Sequence, residues 1–185
     1  VKFLRRHAEA LGLKSNFTIL DTDDQKKLIR KIVKAEDLDA KKFSPQLILY
    51  YIDKWKNKGL LPADIKIEKS SSIEKSIIKV YKIYQSKIRD LNACDFGDLI
   101  LYCVKLFEEH ADIREIYTKN FKYILVDEFQ DTNFIQNKWL NLLVNEQQNI
   151  CCVGDDDQSI YSWRGAEIKN FLTFDQIYKN CKVFK

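Results

Sequence analysis

The sequence predicts an α/β fold in which a core of parallel strands is joined to a separate, strand-poor helical block. Residues 123–126 (Tyr-Ile-Leu-Val) and 150–153 (Ile-Cys-Cys-Val) are short apolar runs that each stop abruptly at acidic residues. Buried parallel strands whose carboxyl ends carry chemistry have this pattern. Between them, residues 134–143 set Phe134, Ile135, Trp139, Leu142 and Leu143 at helical spacing, which makes a strand–helix–strand unit. Charge marks the helical block: residues 21–90 carry 17 Lys+Arg against 11 Asp+Glu, a net +6, whereas residues 92–185 carry 10 against 15, a net −5.

From the start of the chain, residues 3–11 read as the end of a helix, with Gly12 a natural stop and residues 17–20 a short extended link. Asp21-Thr22-Asp23-Asp24 opens a new helix whose acidic start and Lys-rich turns match the helix dipole. Ser44-Pro45 opens the next, with Leu47, Ile48, Tyr51, Ile52 and Trp55 along one face and an end near Gly59. Pro62 and Ser70-Ser71-Ser72 mark a loop and a cap, after which residues 73–91 resume helical periodicity. Asp95 and Asp98 are placed to cap a helix running on through Leu106, with Phe96 and Leu99 packing beside them. Beyond the second strand, residues 170–178 are amphipathic and residues 181–184 read as the beginning of another strand.

Composition places few limits beyond an ordinary globular chain: 185 residues, 45% hydrophobic and 31% charged. No apolar run is long enough to span a membrane and no signal-type block follows the N-terminus, so the expectation is a cytoplasmic protein. The five cysteines are odd in number and lack Cys-x-x-Cys spacing, which suits reduced core residues. His7 and His110 have no partners at metal-ligand spacing and read as helix-surface residues. The absence of an opening Met hints at a fragment or at processing.

In open α/β sheets ligands sit beyond the carboxyl ends of the strands. Asp127, Glu128, Asp155, Asp156, Asp157 and Gln158 are therefore expected around one crevice. Adjacent carboxylates there suit nucleotide hydrolysis, with Asp127 holding Mg²⁺ through its water shell and Glu128 orienting or deprotonating the attacking water. Gln158 is neutral, donates and accepts, and suits sensing of a terminal phosphate. Tyr161, Trp163 and Arg164 offer two flat rings and a planar cation for unpaired bases and phosphate. Each feature alone has a plainer alternative: the acids could cap a helix, the rings could be core aromatics, and Asp155–Asp157 could be a solvated turn. No calcium-loop spacing with a closing Glu follows that acidic run.

Residues 126–133, Val-Asp-Glu-Phe-Gln-Asp-Thr-Asn, resemble the Walker B motif of the UvrD/Rep/PcrA group of superfamily 1 DNA helicases. Residues 153–166, Val-Gly-Asp-Asp-Asp-Gln-Ser-Ile-Tyr-Ser-Trp-Arg-Gly-Ala, resemble that group's next motif, with Ser162 in place of a common Gly. Residues 95–100 are similar to the Asp-Phe-x-Asp-Leu stretch where the family chain returns from a helical insertion, with Gly97 where an acid is often found. The resemblance implies a partial RecA-like P-loop NTPase core with an inserted all-helical subdomain. It divides the chain into 1–20 (end of an early motor-core segment), 21–91 (helical insertion) and 92–185 (motor core). It further implies an ATP-dependent 3′–5′ helicase acting in DNA repair or replication, using ATP and Mg²⁺. Single-stranded DNA, a duplex junction and DNA-repair proteins are the partners it implies.

By the same resemblance Asp127 is the Mg²⁺ residue, Glu128 the catalytic base and Gln158 the γ-phosphate sensor. Tyr161, Trp163 and Arg164 face DNA, with Trp163 stacking on a base. The basic helical block would lean on duplex phosphates, although a solvated Lys-rich surface explains its charge equally well. No Gly-x-x-x-x-Gly-Lys-[Ser/Thr] loop occurs, so the segment alone is expected not to hydrolyse ATP. The alternative reading is a truncated or split-gene product that binds DNA or a partner without catalysis.

Overall fold

The computed structural model describes residues 1–178 and 181–184, without the side chain of Lys69. The chain divides into two compact units, Val1–Cys103 and Val104–Lys185.

In the first unit, α1 (Lys2–Arg6) and a 3-10 turn (Ala8–Leu11) end at left-handed Gly12. Residues Thr18–Leu20 form β1, which pairs in parallel with β2 (Ala93–Asp95), Thr18 facing Ala93 and Leu20 facing Asp95. The expected extended link is therefore a strand. Three residues, and an Ala-Cys-Asp partner without a β-branched side chain, are too little for a periodic signal.

Between the two strands lie α2 (Thr22–Ala35), α3 (Pro45–Asn57) and α4 (Ser72–Asp90). Each starts where a side-chain oxygen accepts an orphan backbone N–H. Asp21 takes that of Asp24, Ser44 that of Leu47, and Ser71 that of Glu74 while the Glu74 carboxylate accepts from Ser71 N. The three helices bury one apolar cluster: Ile29, Ile32 and Val33 from α2, Ile48, Ile52 and Trp55 from α3, Ile77, Tyr81, Tyr84 and Ile88 from α4. Trp55 stacks on Tyr81 with 5.7 Å between centroids and 14° between planes. The predicted α3 face holds, with Leu47 and Tyr51 at its half-buried margin.

A buried ionic knot ties this helical block to β2. Lys56 Nζ lies 2.6 Å from Asp95 Oδ2 and 2.7 Å from Asp98 Oδ1, and all three side chains are at most 1% exposed. Tyr84 Oη donates to Asp95 Oδ2 (2.9 Å) and Gln85 Nε2 to Asp98 Oδ1 (2.9 Å). The two carboxylates also cap each other's backbone at the start of α5 (Phe96–Glu109): Asp98 N donates to Asp95 Oδ1 and Asp95 N to Asp98 Oδ2. Gly97 sits so close that an added Cβ would lie 2.9 Å from Lys56 Cδ. Phe96, expected to pack, is instead 62% exposed; its neighbour Asp95 takes the inward position because Lys56 waits there.

The second unit takes up the end of α5 and continues through α6 (Ala111–Asn120), β3 (Ile124–Val126), α7 (Phe134–Leu143) and β4 (Ile150–Cys152). It closes with α8 (Lys169–Leu172) and α9 (Phe174–Ile177). β3 and β4 pair in parallel, Ile124 facing Ile150 and Val126 facing Cys152, each one residue shorter than predicted. Phe107, Phe129, Ile135, Leu140, Leu143 and Tyr178 are buried. Strand alternation leaves Tyr123, Leu125, Cys151 and Val153 exposed, so these strands are not covered on both faces as expected.

Several smaller expectations change. Cys94 and Cys103 are buried, Cys152 and Cys181 half-buried, and Cys151 exposed, all as free thiols. The amphipathic stretch 170–178 breaks at Thr173 into two short helices, and Cys181–Phe184 forms no strand. Among the described residues no cluster of three or more His, Cys, Asp or Glu could hold a metal, and no helix is long and apolar enough to cross a membrane.

Burial pushes the Asp98 carboxyl up to about 6, against the pull of Lys56 and with Asp95 beside it. Folding then takes up a proton between about pH 4 and that value, so this group's contribution to stability falls as pH rises through the window. Lys56→Met leaves two buried carboxylates without their cation and should cost about 3–5 kcal/mol near neutral pH. Because protonation of Asp98 then relieves the charge, the gap in urea midpoint between variant and wild type should be wider at about pH 7.5 than at about pH 5.

Candidate functional site

Parallel pairing sets the carboxyl ends of β3 and β4 side by side. The ladder continues past both strands: Val153 N donates to Val126 O (2.8 Å), and Phe129 N donates to Val153 O (3.0 Å). Asp127 and Glu128 leave one strand, and Gly154 and Asp155 the other, from a common edge.

Glu128 has left-handed backbone geometry, φ 52° and ψ 41°, which a residue with a Cβ adopts at a cost of about 1 kcal/mol or more. The Glu128 N–H bonds to Asp127 Oδ1 at 2.9 Å, and both carboxylates are exposed. The next two residues turn inward. Phe129 is buried and meets Phe174 edge-on at 5.5 Å. Gln130 has no exposed surface.

Gln130 links the two strand ends. Its Nε2 donates to Glu128 Oε2 at 2.6 Å, and its Oε1 accepts from Asp155 N at 3.1 Å. Asp155 continues the chain: Oδ1 accepts from Asp157 N (3.0 Å), and Oδ2 accepts from Gln158 Nε2 (2.6 Å). Three hydrogen bonds thus join Glu128 to Gln158 across thirty positions of sequence. Asp127 stands at the same edge but outside that chain of bonds; Asp156 and Asp157 are exposed on the turn.

The aromatic cluster follows directly. Ser162–Arg164 is a 3-10 turn closed by left-handed Gly165, φ 89°. The Arg164 guanidinium lies 5.1 Å from the Tyr161 ring centroid and 4.7 Å from that of Trp163, within cation–π range. Trp163 is 69% exposed and Tyr161 is at the surface, so neither ring belongs to the buried core. The chain then returns to the first strand's loop. Ala166 bridges Asn133, Glu167 N donates to Thr132 O (2.9 Å), and buried Asn170 donates to the same carbonyl (3.2 Å) while accepting from Asn137 (3.1 Å).

A single exposed carboxylate beside a second one suits Mg²⁺, which keeps several waters and takes one or two protein oxygens. Asp127 fits: one oxygen is occupied by a backbone N–H, and Oδ2 has no hydrogen-bond partner among the described residues. The positions that sequence reasoning left without a role are Gln130, Asp155 as a bridge, and Asn170. An amide two residues past the acid pair was the only visible trace of the first.

The UvrD/REP helicase N-terminal domain family matches residues 1–179. The chain is 45% identical over 176 residues to a probable DNA helicase II homolog of Rickettsia conorii, covering 95% of this chain and 27% of that protein. It is 43% identical over 188 residues to DNA helicase II of Rickettsia typhi, covering 100% of this chain and 29% of that protein. It is 42% identical over 183 residues to the ATP-dependent DNA helicase PcrA of Staphylococcus epidermidis, covering 99% and 25%. The chain therefore spans about a quarter of the length of the curated relatives it matches. With the family match running over nearly the whole chain, the protein belongs to the UvrD/REP helicase N-terminal domain family.

Proposed function

We propose that this chain forms part of the motor of an ATP-dependent 3′–5′ DNA helicase working in the cytoplasm in DNA repair or replication. The observation that carries the reading is the hydrogen-bonded path from Glu128 through Gln130 and Asp155 to Gln158, which leads straight on to the exposed Tyr161, Trp163 and Arg164. A nucleotide-facing set and a strand-facing set on one short segment are what coupling of hydrolysis to movement requires.

In this reading Glu128 orients and deprotonates the attacking water, and Gln158 registers the terminal phosphate. Asp127 would hold Mg²⁺ through its water shell, and the ion would neutralise phosphate charge. When Gln158 shifts, the pull passes along the few residues to the 3-10 turn that bears Trp163. Ser162–Arg164 then changes its grip on a single strand, Trp163 by stacking on a base and Arg164 by contacting phosphate. The helical segment 21–91 is an insertion between core segments 1–20 and 92–185, and its net positive charge suits duplex phosphates at a junction. DNA-repair proteins are partners in the same reading.

Two substitutions test it, made with this segment in the context of a full-length family member. Glu128→Gln should lower steady-state ATP hydrolysis by about 100-fold or more while nucleotide affinity is retained; wild-type turnover would remove the base from Glu128. Trp163→Ala should weaken single-stranded DNA binding by about 1–3 kcal/mol in a fluorescence titration. Unchanged affinity would exclude a stacking role.

A further inference from the structure

We infer that Gln130 is a positioning residue for hydrolysis, holding the Glu128 carboxylate in register and tying it to the turn that carries Gln158. The inference rests on the proposed roles of Glu128 and Gln158 and adds a residue to which neither the sequence nor the relatives' names assign a part.

A primary amide is suited to this position. Glu128 lies on a left-handed backbone in an exposed loop, so its carboxylate has rotamer freedom that a base must give up. Gln130 Nε2 supplies a charge-assisted donor to one carboxylate oxygen, Oε2, at 2.6 Å and leaves Oε1 for water. Its own Oε1 is engaged by Asp155 N at 3.1 Å, so the amide is fixed at both ends. Full burial of the side chain makes the bonds costly to break, because either amide atom would be left unsatisfied. A carboxylate here would repel Glu128, and an apolar residue would strand Asp155 N.

The opposite wall is built around the same amide. A Cβ added to Gly154 would come 2.5 Å from Gln130 Oε1 and 3.0 Å from the Phe171 ring. Both are closer than a Cβ is ordinarily found, so a side chain at position 154 would push the end of the Gln130 amide out of its place. The Glu128 end and the Gln158 end of the site are thereby coupled through one buried side chain. Displacing it should disturb the base without removing any group that touches nucleotide.

The test uses Gln130→Leu and Gly154→Ala in a full-length family member carrying this segment, alongside Glu128→Gln. Gln130→Leu should lower kcat for ATP hydrolysis about 10- to 100-fold with KM for ATP and affinity for a non-hydrolysable ATP analogue within about twofold. Gly154→Ala should lower kcat in the same way, because it moves the amide without deleting it. In the Glu128→Gln background, Gln130→Leu should add less than about a twofold further loss in single-turnover hydrolysis, since the group it positions is already gone. Three results would overturn the inference: wild-type kcat in Gln130→Leu, a loss undiminished in the Glu128→Gln background, or a loss matched by weaker analogue binding. Wild-type turnover by Glu128→Gln alone would instead sink the underlying assignment of the base, and with it this one.

Discussion

One buried ammonium group governs the first unit. Lys56 brings a charge into a place with no solvent contact, which is unfavourable unless carboxylates meet it. Asp95 and Asp98 do so from the end of β2 and the first turn of α5. The consequence reaches well beyond an ion pair. Satisfying Lys56 fixes where α3 sits against β2, turns Phe96 outward, demands a small residue at position 97, and recruits Tyr84 and Gln85 from α4. Apolar packing among α2, α3 and α4 supplies the bulk of the favourable burial, but it is tolerant of sliding; the charge knot is not.

The second unit is governed by strand direction. Because β3 and β4 run the same way, both exits open on one edge, and the ladder closes over Val153. From there the chain needs only local devices: a left-handed residue to expose Glu128, a glycine to clear Gln130, and an aspartate to hold Gln158. The aromatic turn inherits its place from the Thr132 carbonyl, which receives two donors from the returning chain. Both halves of the candidate site thus hang from the eight residues that follow β3.

Much of this was legible beforehand, and the physical reason differs from element to element. The three long helices announced themselves through caps and periodicity, with Asp21, Ser44 and Ser71 each found at the predicted start. β3 and β4 were visible because apolar runs end at acids. β1 and β2 were not, since a three-residue strand whose partner lies more than seventy positions away has no local signature. In the site, the charged and aromatic residues could be named from their chemistry. Gln130 and Asn170 could not be assigned, because their importance comes from burial and from partners brought in by the fold. The exposed position of Leu125 likewise follows from what lies on each side of a strand, which a hydrophobic run does not encode.

The pairing of β1 with β2 limits how far the helical block could be trimmed. Two neighbouring strands that point the same way can be joined only by a chain that travels back the full length of the first, a journey of roughly a dozen residues at least. Such trimming must spare Lys56, Tyr84 and Gln85, which satisfy the buried carboxylates of Asp95 and Asp98, and splicing the strands with a hairpin would reverse one of them and carry Asp95 away from Lys56.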